Sequence, residues 1–100
     1  MLFRSAHILL QSVLVDVPQR IDALAAAIAA DDDKTAHREA HTIKGQAAGG
    51  GARPLRDLAQ HLEGLCREGL LQEAAERLPD LRVRYEQAAA AWRHFIAESS

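Results

Sequence analysis

The chain has 100 residues and a formal net charge of −2, with 12 Lys and Arg against 14 Asp and Glu. This length predicts a single domain, and the charge balance gives no reason to expect a nucleic-acid partner. Hydrophobic residues make up 48%, yet only four residues are aromatic and 20 are alanine, a composition that favours helices over a β-sandwich or barrel.

The first predicted helix runs from about residue 3 to residue 30. Its apolar residues recur at spacings of three and four, as one face of a helix requires: Leu10, Val13, Leu14, Val17, Ile21, Leu24 and Ile28. Pro18 lies inside this stretch, so it either kinks one long helix or begins a second helix after a short first one. Polar residues interrupt the apolar amino-terminal patch, which therefore has neither a signal-peptide pattern nor the roughly 18 apolar residues of a membrane span. We expect a cytoplasmic location without membrane contact by this segment.

Two shorter helices are predicted at about 33–48 and 54–68. They are bounded by the aspartates at 31–33, which suit a helix cap, and by the glycines at 49–51, which helices tolerate poorly. The apolar positions of the two helices are Ala36, Ala40, Ile43 and Ala47 in the first, and Leu55, Leu58, Leu62 and Leu65 in the second. Pro54 fits the first turn of the second helix. The single cysteine, Cys66, excludes a disulfide scaffold and a cysteine-built zinc site, and we expect its side chain to be buried.

The last predicted helix, at about 70–97, carries two interleaved rows of apolar residues spaced by seven. The rows are Leu71, Leu78, Tyr85 and Trp92, and Ala74, Leu81, Ala88 and Phe95. Pro79 falls inside this helix and is expected to bend or restart it. A coiled-coil dimer would use the same seam, but three other amphipathic helices need a surface on which to pack. We therefore predict one all-α domain over residues 1–100, a monomeric, antiparallel up-down four-helix bundle with a short N-terminal helical extension.

The second predicted helix carries the residues that suggest chemistry. On a helical wheel, His41 lies roughly opposite the apolar stripe, with Lys44 and Gly45 beside it. A glycine inside a helix costs about 1 kcal/mol relative to alanine, and on an exposed face it gains nothing from core packing. We interpret Gly45 as a gap that lets another surface approach His41. An exposed neutral imidazole keeps a nucleophilic lone pair, and Lys44 can pair with an anion held there, with a phosphoryl group as the leading candidate.

The run His41-Thr42-Ile43-Lys44-Gly45, followed by small residues and Gly51, resembles the signature of histidine-containing phosphotransfer (Hpt) domains of bacterial phosphorelays. The resemblance continues through the Leu-x-x-Leu-Ala-x-x-Leu-Glu pattern of 55–63 and upstream through 17–31, so it covers most of the chain. Three consecutive glycines and His37 depart from the family pattern. The resemblance is compatible with the C-terminal domain of a hybrid sensor histidine kinase, on its cytoplasmic side, or with a short free-standing protein.

The resemblance implies a role for five residues. His41 would accept the phosphoryl group, Lys44 would screen its charge, and Gly45 would admit the partner. A polar residue on the next helix would hydrogen-bond Nδ1 of the imidazole. Gln60 and Glu63 match that position, and we favour Glu63 of the two.

The resemblance also implies the partners of the domain. They would be response-regulator receiver domains. In a hybrid sensor kinase, a histidine kinase in the same polypeptide would supply the phosphoryl group. No kinase or nucleotide-binding motif is present, so we expect a carrier without kinase or ATPase activity. We expect the domain to need no cofactor of its own, because the receiver would hold the Mg²⁺. Two alternatives remain open: a helical metal-binding bundle using His37 and His41, which have an i, i+4 spacing, and a helical interaction module that is not phosphorylated.

Overall fold

The computed structural model describes the backbone of residues 2–99 and the side chains of residues 5–99. The described chain consists of four α-helices joined by three-residue connections: α1 (Leu2–Ala29), α2 (Asp33–Gly49), α3 (Arg53–Arg67) and α4 (Leu71–Ser99). The predicted all-α fold class is confirmed. Helix α1 packs against α2 and α4, and α3 packs against the same two helices. The order of the chain around the bundle is therefore α1, α2, α3, α4.

The two outer helices are much longer than the two inner ones. Helices α1 and α4 have 28 and 29 residues, whereas α2 and α3 have 17 and 15. The predicted N-terminal extension is thus the first part of α1 itself, and it pairs with the last turns of α4, where the rings of His7 and Phe95 meet edge to face. The molecule is elongated, 43 × 19 × 18 Å, which matches the length of about 42 Å that 1.5 Å per residue gives α1.

Neither internal proline interrupts its helix. Pro18 lies within α1 and Pro79 within α4, so of the two outcomes expected for Pro79, a bend or a restart of the helix, the restart does not occur. A proline has no N–H to donate to the carbonyl four residues earlier, which for Pro18 is the carbonyl of Leu14. The hydroxyl of Tyr85 donates to that Leu14 oxygen at 3.0 Å. A side chain of α4 thus supplies the hydrogen bond that Pro18 cannot, and α1 remains one helix.

The first three helices end in the same way. In each, a residue with positive φ follows the last turn: Asp31 (φ 58°), Gly51 (φ 74°) and Gly69 (φ 76°). The next N–H in each case then bonds back to the carbonyl five residues earlier, as in a Schellman motif: Asp32 to Ala27, Ala52 to Ala47, and Leu70 to Leu65, each at 2.9 Å. The next helix begins within two residues, so each chain reversal is short and consecutive helices run antiparallel.

The buried face of α4 departs from the predicted seven-residue repeat near its end. Leu71, Ala74, Leu81, Tyr85 and Trp92 are buried as predicted. Ala89 is buried in place of Ala88, which is only partly covered, and Phe95 is 37% exposed. A straight helix turns about 20° away from a strict seven-residue repeat with each heptad. That drift accounts for the shift of the buried stripe by one residue at this end.

Candidate functional site

The inner face of α2 is lined with small side chains. Ala36, Ala40 and Ala47 are fully buried together with Ile43. Because these side chains are short, α2 packs closely on the bundle with its outer face open to solvent. His41 lies on that outer face, and 64% of its side chain is exposed.

Two ion-pairing side chains of α1 fix the position of α2. Arg20 donates from Nη1 to the carboxylate of Glu39 at 3.2–3.3 Å and from Nε to Asp16 at 3.2 Å. Gln46 donates from Nε2 to the same Asp16 at 2.5 Å. These contacts tie α2 to α1 on both sides of His41 along the chain. Periodicity did not predict this network, since Glu39 counts as polar and yet is buried.

Glu63 of α3 joins His41 and Lys44 in one cluster. The Glu63 side chain is buried, with 4% of the residue exposed. Its Oε2 lies 2.5 Å from His41 Nδ1, and its Oε1 accepts a hydrogen bond from Lys44 Nζ at 2.7 Å. The structure thus brings together three of the five predicted site residues, drawn from two helices.

The charge state of Glu63 determines which nitrogen of His41 is free. Burial raises the pKa of the Glu63 carboxyl, but hydrogen bonds from Lys44 and His41 and their charges outweigh burial, so its pKa lies below the ordinary value. A carboxylate can only accept hydrogen bonds, so His41 Nδ1 carries the proton that it donates to Glu63. In the neutral ring, Nε2 then has the lone pair. The nucleophilic nitrogen therefore belongs to the side of the ring that Glu63 does not hold.

The remaining two predicted residues differ in what the structure shows. A Cβ added to Gly45 would meet no atom within 4 Å apart from the helix's own nearby backbone and chain neighbours, so this glycine leaves open space on the His41 face. Gln60 is exposed, and no hydrogen bond joins its side chain to His41 in the described structure. Of the two candidates for the Nδ1 partner, only Glu63 makes the contact.

His37 lies one turn before His41, at the edge of the same cluster. Its Nε2 is 3.9 Å from Glu63 Oε2. Among the side chains of residues 5–99, no group of three or more His, Cys, Asp or Glu is arranged to hold a metal ion. The i, i+4 spacing of His37 and His41 was visible in the sequence, but that spacing alone did not reveal the shared carboxylate.

Comparison with known proteins identifies the family of the chain. The family model described as the Hpt domain matches residues 8–91, which include α2, α3, most of α1 and α4, and the whole cluster. No match was found among curated proteins or among solved structures. None of the described helices combines the length and apolarity needed to cross a membrane.

Proposed function

The chain belongs to the Hpt domain family, whose members carry phosphoryl groups in two-component phosphorelays, and on this basis we propose that His41 is the residue that carries the phosphoryl group. Domains of this family are carriers without catalytic activity of their own and work with receiver domains. The observation that carries the assignment is the setting of His41. Its ring is 64% exposed, and Nδ1 is held by a buried carboxylate.

The proposed transfer uses the free nitrogen of His41. The Nε2 lone pair attacks the phosphorus of a receiver's aspartyl phosphate, the new bond is N–P, and the P–O bond breaks with its electron pair leaving on the aspartate carboxylate. The His41 ring still has its Nδ1 proton and becomes positively charged. Glu63, which accepts that proton's hydrogen bond, offsets the new charge. The reverse reaction passes the group to another receiver.

Lys44 and Gly45 have separate roles in this proposal. Lys44 Nζ uses one hydrogen bond on Glu63, and an ammonium group has two more donors for a phosphoryl oxygen. The open space at Gly45 gives the receiver room to bring its phosphoaspartate to His41. We expect a small, transient interface. The receiver would hold the Mg²⁺, the relay would operate in the cytoplasm, and a histidine kinase in the same polypeptide could supply the first phosphoryl group.

The test is phosphoryl uptake from a phosphorylated receiver domain. Wild type is expected to gain the label, and His41→Gln is expected to gain none, because glutamine has no nucleophilic nitrogen. His61→Gln is the matched control, since His61 is also exposed, on the neighbouring helix α3, and it should behave as wild type. Equal label in wild type and His41→Gln would overturn the assignment, and absence of label from both would favour a non-phosphorylated interaction module.

A further inference from the structure

His37 has an unsatisfied nitrogen that points toward the proposed phosphorylation site. Its Nε2 is shielded from solvent and has no hydrogen-bond partner. The nearest carboxylate atom is Glu63 Oε2 at 3.9 Å, which is beyond hydrogen-bonding distance. That oxygen is the one to which His41 Nδ1 donates. Glu63 Oε2 therefore lies between two imidazoles and is bonded to only one of them.

We propose that His37 is a positioning residue: when His41 is phosphorylated, His37 takes up a proton from solvent and donates a hydrogen bond to Glu63 Oε2, which lies between the two rings. This inference rests on the proposed function of His41. It adds a chain-specific element, because the family resemblance does not include a histidine at position 37.

The proton balance of the transfer supports this role. A His41 ring that bears a phosphoryl group on Nε2 keeps its proton on Nδ1, and with it the hydrogen bond to Glu63 Oε2. The proton that His37 takes up therefore comes from solvent, and no bond of the His41 ring is broken. A proton on His37 Nε2 gives Glu63 Oε2 a second donor once the 3.9 Å gap closes by about 1 Å, to the usual hydrogen-bond length.

Charge also favours a proton on His37 after the transfer. Before transfer, the charges of Glu63 and Lys44 cancel. A phosphoryl group adds a charge of about −1.5 to −2 at pH 7, and His37 is one helical turn away. A positive charge on His37 becomes more favourable when that negative charge arrives. By reciprocity, a proton on His37 then favours the phosphorylated state of His41 by the same factor.

Of the charged groups around His37, the Glu63 carboxylate has the strongest effect on the proton affinity of His37. The titratable neighbours on its own helix and on α3 are Asp33, Lys34, His41, Lys44, Cys66 and Arg67. Of the carboxylates described, only Glu63 is within 4 Å of a His37 nitrogen. Burial raises the pKa of the Cys66 thiol, so that neighbour is neutral. The charged groups that α1 presents to α2, Asp16 and Arg20, pair with Gln46 and Glu39 instead.

The first test measures the titration of His37 in the intact chain. Phosphoramidate serves as the phosphoryl donor, since its P–N bond breaks, ammonia leaves and the Nε2–P bond of His41 forms without a receiver. Histidine ring signals are followed by NMR from pH 5.5 to 8.5, before and after loading. We expect loading to raise the proton affinity of His37 by about threefold to tenfold. His94, at the far end of α4, should titrate at the same pH in both states.

The second test measures the equilibrium of phosphoryl transfer with a receiver at pH 6 and pH 8. Lower pH should favour loaded wild type over loaded His37→Gln by the same factor that the titration gives, whereas His94→Gln should match wild type. Should His37→Gln fail to fold, the titration of wild type still decides the matter. Loading of His41 without any change in the His37 titration overturns this inference alone. A chain that takes up no phosphoryl group overturns the proposed function as well.

Discussion

The carboxylate of Glu63 serves two partners with its two oxygens. Oε2 accepts from His41 and Oε1 accepts from Lys44. Burying a carboxylate without partners is costly, and hydrogen bonds from a cation and an imidazole compensate that cost. A single side chain thereby orients the ring of His41 and holds Lys44 beside it. This arrangement leads to a prediction about both stability and pH.

Glu63→Gln should lower stability at neutral pH and lose most of that effect in acid. The pKa of the Glu63 carboxyl is lowered in the fold, so its contribution is fully present above the ordinary glutamate value and is lost as the pH falls through the folded value. Urea unfolding of wild type and variant at pH 7, 5, 4 and 3 should show a difference that shrinks below about pH 4. A difference that stays constant over this range would contradict the prediction.

The same variant should also slow phosphoryl uptake by His41. A glutamine can present its amide nitrogen to Nδ1 and so no longer requires that nitrogen to carry the proton. We expect a loss of about tenfold or more in rate, the order of effect seen when the group that orients a metal-bound histidine is changed. Glu68→Gln is the control, because Glu68 is an exposed carboxylate just beyond the end of α3. If both variants transfer at the wild-type rate, Glu63 does not position His41.

Gly45 offers a separate test of access to His41. A Cβ at this position meets no other side chain, and alanine is the better helix former by about 1 kcal/mol. Gly45→Ala should therefore stabilise the chain, and Gly45→Leu should fold while slowing transfer from a receiver, because its side chain fills the approach to His41. Loading by phosphoramidate, a small donor, should slow far less. Equal transfer rates from the receiver in Gly45→Leu and wild type would remove the steric role.

At the scale of the residue, the sequence predicted which residues form the cluster better than it predicted how far each one is buried. The motif indicated His41, Lys44 and Gly45, and Glu63 was expected on the polar flank of its helix. Glu63 is in fact 4% exposed, because Lys44 and His41 cover it from the neighbouring helix. Periodicity treats a carboxylate as an outward residue and contains no information about a partner on another helix. For the same reason it could not show that His37 approaches the same oxygen.

At the scale of the element, the connection between α2 and α3 depends on one close approach. Trp92 of α4 is buried and donates from Nε1 to the carbonyl of Gly50 at 2.9 Å. A Cβ at Gly50 would lie 2.7 Å from the Trp92 ring, which is closer than van der Waals contact allows. The three consecutive glycines are thus not equivalent: Gly50 accommodates the indole, Gly51 has a positive φ, and Gly49 faces open space.

This difference predicts opposite effects for two neighbouring substitutions. Gly50→Ala should destabilise the chain by about 1–3 kcal/mol, because the hydrogen-bonded ring of Trp92 must move. Gly49→Ala should be neutral or stabilising by up to about 1 kcal/mol, since it replaces glycine in a helix without a clash. Thermal unfolding followed by the fluorescence of Trp92 measures both. Similar destabilisation by the two variants would contradict the assigned contact.

The limits of each helix could be predicted from its own sequence, whereas features that depend on contact between two helices could not. The predicted helix limits differ from the observed ones by at most two residues, since caps and glycines act locally. The continuity of α1 through Pro18 depends on the hydroxyl of Tyr85, which is distant in sequence. This outcome requires the packed bundle, and a helical periodicity cannot supply it. The exposure of Phe95 has a different cause, because a strict seven-residue repeat drifts away from the buried stripe of a straight helix.

At the scale of the whole molecule, the lengths of the helices separate two regions. The cluster of His41, Lys44 and Glu63 lies on the part of the chain where all four helices pack together, whereas only α1 and α4 continue beyond the Gly50 turn. The cluster is therefore built on the fully packed part of the chain. A site on rigid helices holds its geometry more accurately than one on loops. The exposed His41 face can meet a partner without rearrangement of the core.

The packing of α4 also predicts the oligomeric state. Its predicted seam would suit a coiled-coil dimer, but Leu71, Leu81 and Tyr85 are already buried within the chain, where α4 packs against α1 and α3. A second copy would need the same side chains, so dimerisation through this seam would require the bundle to open. We expect light scattering after size exclusion to give the mass of one chain, 10.9 kDa, at all concentrations tested. A mass near twice that value would show a dimer. Leu81→Ala removes the centre of the α4 seam, so a dimer that persists in this variant would have its interface on another surface.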